Sequence, residues 1–350
     1  MKKSTVFQLF LGIAFTIISL WIFLTPYKDG HWDFSVLSHL WKNLCLTPLW
    51  GVACVIALTF LTLWLRTMRW NLILPKSSSA SRRGLFGLVM IGFMVNNILP
   101  ARLGEAARIL LLWKRNRFTV AESAGSVLLE RIIDIIIYMF FFFIPVLFIS
   151  GLRAWIPYAI PMACGAAAAL CALLFYAFFP APSRTIGGIF LQFVPLRFRN
   201  KTLVIAKEVS SNLDWIFSPG RCLAIILLSV AIIACYPAML AVLVQDRSFD
   251  VLSSIFAAAW GAIGAAIPAA PGYIGTLHAA LKQGLGLCGI EADKAIVVAT
   301  LYHAIGYTTV TVVGIYYFFR LRISFKEIGS AKEEIDKEKS SAADTKGGAP

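Results

Sequence analysis

Charge is what this 350-residue chain has least of. Asp, Glu, Lys and Arg make up 14% of it, against about a quarter in soluble domains. Hydrophobic residues make up 59%, and the mean hydropathy is +0.78. A soluble globular reading is excluded, and a polytopic membrane protein is expected. Acidic residues are the rarer sign, 18 against 32 Lys and Arg, for a net charge of +14. The basic residues punctuate the loops between apolar runs, which fits positive-inside topology better than nucleic-acid binding.

Paired cysteines are also missing. Cys45, Cys54, Cys164, Cys171, Cys222, Cys235 and Cys288 form no CxxC pair and lie mostly inside apolar runs, so they read as packing residues rather than disulfide or metal ligands. The chain has no P-loop, zinc-ligand spacing, Gly-x-Ser-x-Gly or nucleotide fingerprint. No cofactor, metal or enzymatic activity is expected, and a transporter built this way would draw on an ion gradient or facilitated exchange.

The apolar runs fix an all-α membrane architecture. Val6 to Leu24, behind Lys2 and Lys3, is too long for a signal-peptide core and lacks a cleavage pattern, so it reads as a retained outward span. Residues 25–45 form a short external loop. Leu46 to Leu65 returns inward and ends in Arg66-Thr67-Met68-Arg69-Trp70, read as a cytoplasmic signal together with Lys76, Arg82 and Arg83. Further spans are expected at Ile135 to Ile149, Trp155 to Phe178, Cys222 to Val244 and Ala295 to Phe319. Residues 179–221 read equally as a basic amphipathic surface helix or a plain linker, and 327–350 as a disordered cytoplasmic tail.

Two stretches break this pattern. Gly84 to Leu99 is about 16 residues, some 24 Å as a helix and short of the ~30 Å core. It runs into Asn96-Asn97-Ile98-Leu99-Pro100-Ala101-Arg102-Leu103-Gly104-Glu105-Ala106-Ala107-Arg108 with basic residues on both sides. A segment entering and leaving by one face is expected. Val251 to Ile267 breaks likewise at Pro268-Ala269-Ala270-Pro271-Gly272-Tyr273-Ile274-Gly275-Thr276. The order of crossings makes 46–149 and 222–320 inverted units of one transmembrane domain, 1–326, joined by span 155–178 and the segment 179–221. Interrupted segments at matching positions of two halves point to an inverted-repeat transporter and its binding site. Six full spans, two oppositely oriented re-entrant pairs and both termini in the cytoplasm follow. This topology puts six of the 32 basic residues outside and leaves 26 inside.

Candidate substrate-binding residues sit at these breaks. Arg102, Glu105 and Arg108, at steps of three, share a helix face behind Asn97 and Pro100. A helix N-terminus at membrane depth with arginines suits a phosphate or other anion, with Glu105 restraining the guanidiniums; the alternative is an Arg–Glu–Arg network holding the turn. Ser123, Ser126, Glu130 and Asp134, spaced 3, 4 and 4, share another face, with Arg131 placed to pair with Asp134. Glu130, Arg131 and Asp134 read either as a proton relay or countercharge, or as interfacial charges wetted by the cytoplasm. At the second break Pro271, Gly272, Tyr273, Gly275, Thr276 and His278 offer backbone and side-chain donors to a headgroup, or form a tight turn satisfied by neighbouring helices. His303, beside Tyr302 and Tyr307, reads as a packed histidine.

Four motifs carry a family resemblance: Arg66-x-x-Arg69-Trp70, Asn97-x-x-Pro100-x-Arg102-x-Gly104-Glu105-x-x-Arg108, Glu130-Arg131-x-x-Asp134 and Pro271-Gly272-x-x-Gly275-Thr276. In this order, across about residues 60–320, the chain resembles the flippase-like family also called the lysylphosphatidylglycerol synthase transmembrane region. The resemblance implies a bacterial or archaeal inner-membrane protein moving a lipid between leaflets, often an aminoacylated phospholipid or a lipid-linked glycan precursor. The large lysyl-transfer enzymes of this kind add further spans and a soluble domain. This sequence stops at residue 350, so lysyl transfer is not expected. The partner expected is a membrane lipid with an anionic or phosphate-bearing headgroup, with a homo-oligomer or a lipid-biosynthesis protein as further possible partners. A small-anion or ion-coupled solute transporter, and a scaffold for a lipid- or glycan-building enzyme, are the alternatives.

Overall fold

The structure, a computed structural model, describes residues 27–28, 31–32, 47–76, 80–99, 103–178, 212–267 and 271–324. The first expected span, Pro100 to Arg102, Pro268 to Ala270, most of segment 179–221 and the tail lie outside them. Apart from a two-residue antiparallel ladder, Tyr27–Lys28 with His31–Trp32, the described elements are helical.

In chain order they are α1 (Leu49–Ile73), α2 (Leu85–Ile98), α3 (Leu103–Asn116), α4 (Val120–Phe148), α5 (Ile156–Phe178), α6 (Pro219–Val244), α7 (Val251–Ala266), α8 (Thr276–Leu287) and α9 (Ala292–Arg320). Short 3-10 turns precede α5 (Ser150–Trp155), α6 (Asp214–Phe217) and α8 (Pro271–Tyr273). Among the described residues, five helical segments are long and apolar enough to cross a membrane: Leu49–Ile73, Val120–Phe148, Ser150–Ala172, Pro219–Val244 and Ala292–Arg320. Each must satisfy its backbone internally, which a helix does.

Local chemistry sets the ends. Thr119 caps α4 with a capping box: its hydroxyl accepts the Glu122 N–H at 3.1 Å, and the Glu122 carboxylate accepts the Thr119 N–H at 2.8 Å. Asp250 accepts the Ser253 N–H at 2.8 Å at the start of α7. The C-terminus of α1 is held by two arginines distant in sequence. Arg82 donates to the carbonyls of Asn71, Leu74 and Pro75, and Arg221 to those of Leu72 and Leu74. Cations there satisfy orphan carbonyls and complement the helix dipole.

One expectation about α1 is corrected here. The apolar run ends near Leu65, but the helix continues two turns to Ile73, so Arg66 and Arg69 are buried helix residues rather than cytoplasmic loop charges. Two facing carboxylates on α4 make that burial tolerable.

The short helices form two hairpins. α2 packs on α3 and α7 on α8, and small residues permit the close approach. A Cβ on Gly104 would strike the Gly92 carbonyl oxygen, and one on Gly264 would meet the Thr276 carbonyl at 2.6 Å. The remaining packing is reciprocal. α2 lies on α9 while α7 lies on α4; α3 packs on α4 as α8 packs on α9; α1 contacts α2 and α4 as α6 contacts α7 and α9; and α1 packs on α6. Exchanging α1–α4 with α6–α9 leaves this set of contacts unchanged.

Candidate functional site

The face of α4 carrying Ser123, Ser126, Glu130 and Asp134 is buried, Glu130 at 0% and Asp134 at 5% exposure. Opposite it stand Arg66 and Arg69 of α1. Arg66 donates to Asp134 at 2.9 Å and to the Tyr236 hydroxyl of α6 at 3.1 Å. Arg69 donates to the other Asp134 oxygen at 2.6 Å, to Ser229 at 3.1 Å and to Glu130 at 3.3 Å. From α3, Arg108 donates to Glu130 at 2.7 Å and lies over the Trp70 ring, 4.1 Å from its centroid. Trp70 in turn donates its indole N–H to Ser126 at 3.0 Å. Three fully buried guanidiniums thus share two carboxylates, and the cluster holds one positive charge in excess.

Several expectations change with this geometry. Glu130 is sealed off rather than wetted at an interface, since it must balance Arg69 and Arg108 at once. Arg131 pairs with Asp134 as expected, at 3.8 Å, but Arg66 and Arg69 take both carboxylate oxygens at hydrogen-bond distance. Glu105 does not restrain Arg108. It is half-exposed and 3.9 Å from Arg131. Arg66 and Arg69, read from the sequence as a family motif and a cytoplasmic charge signal, are site residues here, as is Tyr236, which that reading passed over. Their signal was an i, i+3 arginine pair one turn past an apolar run, matched to carboxylates four apart on another helix.

A cavity of about 420 Å³ opens against this cluster, within the range of small-molecule sites. Arg66, Arg108, Arg131, Glu105 and Asp134 form its charged wall. Asn96, Asn97 and Phe93 contribute from the first hairpin, and Gly261, Ala265, Tyr273 and Leu277 from the second. Tyr138, Tyr236, Tyr302, His303 and Tyr307 complete it. The two hairpins meet at its rim. The Asn97 side chain donates to Thr311 at 3.0 Å and to the Tyr307 carbonyl at 3.3 Å, tying α2 to α9. The Tyr307 hydroxyl reaches the Asn97 carbonyl at 3.4 Å. Gly272, at φ 71°, sits against both: a Cβ there would lie 2.6 Å from the Tyr307 ring and 3.2 Å from the Asn97 carbonyl.

The second break behaves as a satisfied turn as much as a donor set. Thr276 is buried and donates to the Tyr273 carbonyl at 3.4 Å. His278 accepts the Gly275 N–H at Nδ1, 3.3 Å away, and its Nε2 lies 3.3 Å from Nδ1 of His303. His278 is therefore turned toward the protein, and His303 is paired rather than solitary. Pro271 lies in the turn that precedes α8. Arg102 lies outside the described residues. The structure thus gathers Asn97, Glu105, Arg108, Arg131, Asp134 and Tyr273 around one cavity, seats Glu130 beneath it, and sets Thr276 and His278 behind its wall.

Residues 6–314 match the family model described as the lysylphosphatidylglycerol synthase TM region. No curated protein and no solved structure matches the chain.

Proposed function

The chain belongs to the lysylphosphatidylglycerol synthase TM-region family, and on that premise we propose that it moves a lipid with an anionic or phosphate-bearing headgroup between membrane leaflets. The headgroup occupies the cavity between the two hairpins while the acyl chains stay in the bilayer. The observation that carries the reading is the buried three-arginine, two-carboxylate cluster, which presents its excess positive charge to a cavity walled by both hairpins. Guanidiniums suit phosphate because their fixed donor fork matches its oxygens. Intramembrane charge is costly enough that function is its default reading.

The same proposal assigns the membrane arrangement. The hairpins are re-entrant pairs entering from opposite faces, six spans cross the cytoplasmic membrane of the cell, and both termini are cytoplasmic. The reciprocal contact pattern supports an inverted repeat of α1–α4 and α6–α9. In such transporters the substrate lies where the repeats meet, against interrupted helices. Arg102, from the break itself, belongs to the headgroup site in this reading, and no cofactor takes part.

Proteoliposomes carrying a fluorescent phosphatidylglycerol, with externally added dithionite reporting on the leaflets, test it. The wild-type protein should expose inner-leaflet probe, and Arg102→Ala and Arg108→Ala should abolish the exchange. Exchange unchanged in both variants would remove these arginines from the mechanism. A cavity of about 420 Å³ also accommodates a small soluble anion. Uptake of such an anion without lipid exchange would favour that second reading.

A further inference from the structure

His278 of the second hairpin is locked against His303 of α9, with ring centroids 4.6 Å apart and planes at 75°. Their hydrogen bonds fix where the protons lie. Nδ1 of His278 accepts the Gly275 N–H, so it carries no proton. A neutral imidazole holds one proton, so in His278 it sits on Nε2 and is donated across 3.3 Å to Nδ1 of His303. That nitrogen is then bare too, and the His303 proton is on Nε2, on the ring that also interacts with the Gly272 backbone. The two neutral rings bridge the turn from its Gly275 end to its Gly272 end.

An added proton has only poor places to go. The two bare nitrogens each already face an N–H donor. Protonating His278 sets its new N–H against that of Gly275, and protonating His303 sets its new N–H against that of His278. Either event breaks one hydrogen bond and expels a ring from the bridge. We propose that the His278–His303 pair is a proton-binding latch between the second hairpin and α9, closed when both rings are neutral and opened by a single proton.

Opening the latch frees the turn containing Tyr273, which lines the cavity, and His303 lines it as well, so protons reach the pair from the same space. The titratable groups around it are Lys282 one turn along α8, Tyr302 and Tyr307 on α9 and Tyr273 in the turn. Across the cavity stand Arg66 of α1 and Tyr236 of α6, while α2 and α7 carry no titratable side chain. Histidine is the side chain whose ordinary titration falls between pH 5 and 8, and the N–H donors already facing both bare nitrogens oppose the added proton, so the latch opens on the acid side of that range. The inference rests on the latch geometry and stands whether the cavity carries lipid or a soluble anion.

Hydrogen exchange of the full chain in nanodiscs tests it. Exchange at the Gly275 amide, corrected for its intrinsic pH dependence, should rise at least about tenfold from pH 8 to pH 4. His278→Phe should exchange fast and without pH dependence, because the acceptor of the Gly275 N–H is gone. A flat wild-type profile, or the same slope in His278→Phe, overturns the proposal. If that variant does not assemble, nitrogen-15 NMR of the wild type labelled at histidine decides. Both bridge rings should be protonated at Nε2 alone at pH 8, and one should gain a second proton by pH 4. Rings neutral throughout, or protonated at Nδ1 at pH 8, would refute it.

Discussion

The α2–α3 and α7–α8 hairpins are built by the same packing. In each, a glycine brings two short helices into backbone contact, and the second helix then leans on the long helix that follows. Their side chains divide the chemistry. The first hairpin supplies Glu105 and Arg108 and leans on α4, whose Glu130 and Asp134 hold Arg66 and Arg69. The second supplies small residues, a turn with glycines at φ 71° and 91°, and His278, which contacts His303 of α9. One scaffold, used twice, thus gives one wall that holds charge and one that carries the proposed latch. Fixed charge belongs on the rigid wall, because an arginine that loses its carboxylate inside a membrane has no water to turn to.

The comparison predicts unequal responses to equal insults. The largest effect should come from Glu130→Ala, which strips a buried carboxylate from Arg69 and Arg108. Breaking a buried pair this way costs about 3–5 kcal/mol, so melting in detergent should fall sharply and lipid exchange should vanish. His303→Phe, on α9 against the second hairpin, should leave melting much closer to wild type. Equal losses in the two variants would break the distinction between a charged, rigid wall and one that carries the latch.

Gly104→Val and Gly264→Val come next and should hurt alike, since the close approach is shared. Overpacking of this kind costs about 1–3 kcal/mol, and chemical denaturation of the two variants checks the symmetry. Gly272→Ala should cost somewhat less, about 1–2 kcal/mol for forcing a Cβ into the left-handed region, with the Tyr307 ring obliged to give way. The smallest effect belongs to a pair outside both hairpins, Asp246 with Lys294 at 3.2 Å. Hydrogen bonds from Ser248, and then Lys294, hold the Asp246 carboxyl down at about 2. Its contribution is complete above the ordinary carboxylate range and lost only as pH falls toward 2. Because the pair is exposed its worth is small, so Asp246→Asn should lower melting only slightly, and by the same amount at pH 5 and pH 8.

The hairpins were legible in the sequence because length and breakers announce them: 14 and 16 residues cannot span, and Pro, Gly and charge interrupt the runs. Asp134 and Glu130 were legible from their spacing. The arginines they hold were not, because Arg66 and Arg69 follow an apolar run just as loop charges do, and only the facing helix shows that α1 continues through them. The same limit hid the histidine pair. His278 and His303 are 25 residues apart on different helices, and no local pattern records that they touch.

A structure of the protein in nanodiscs made with phosphatidylglycerol would test the central claim most directly. The account predicts a lipid headgroup in the cavity, its phosphate against the Arg66–Arg108–Arg131 wall and its acyl chains leaving between helices. Lipid ordered only on the outer belt, with the cavity closed to headgroups, would contradict it.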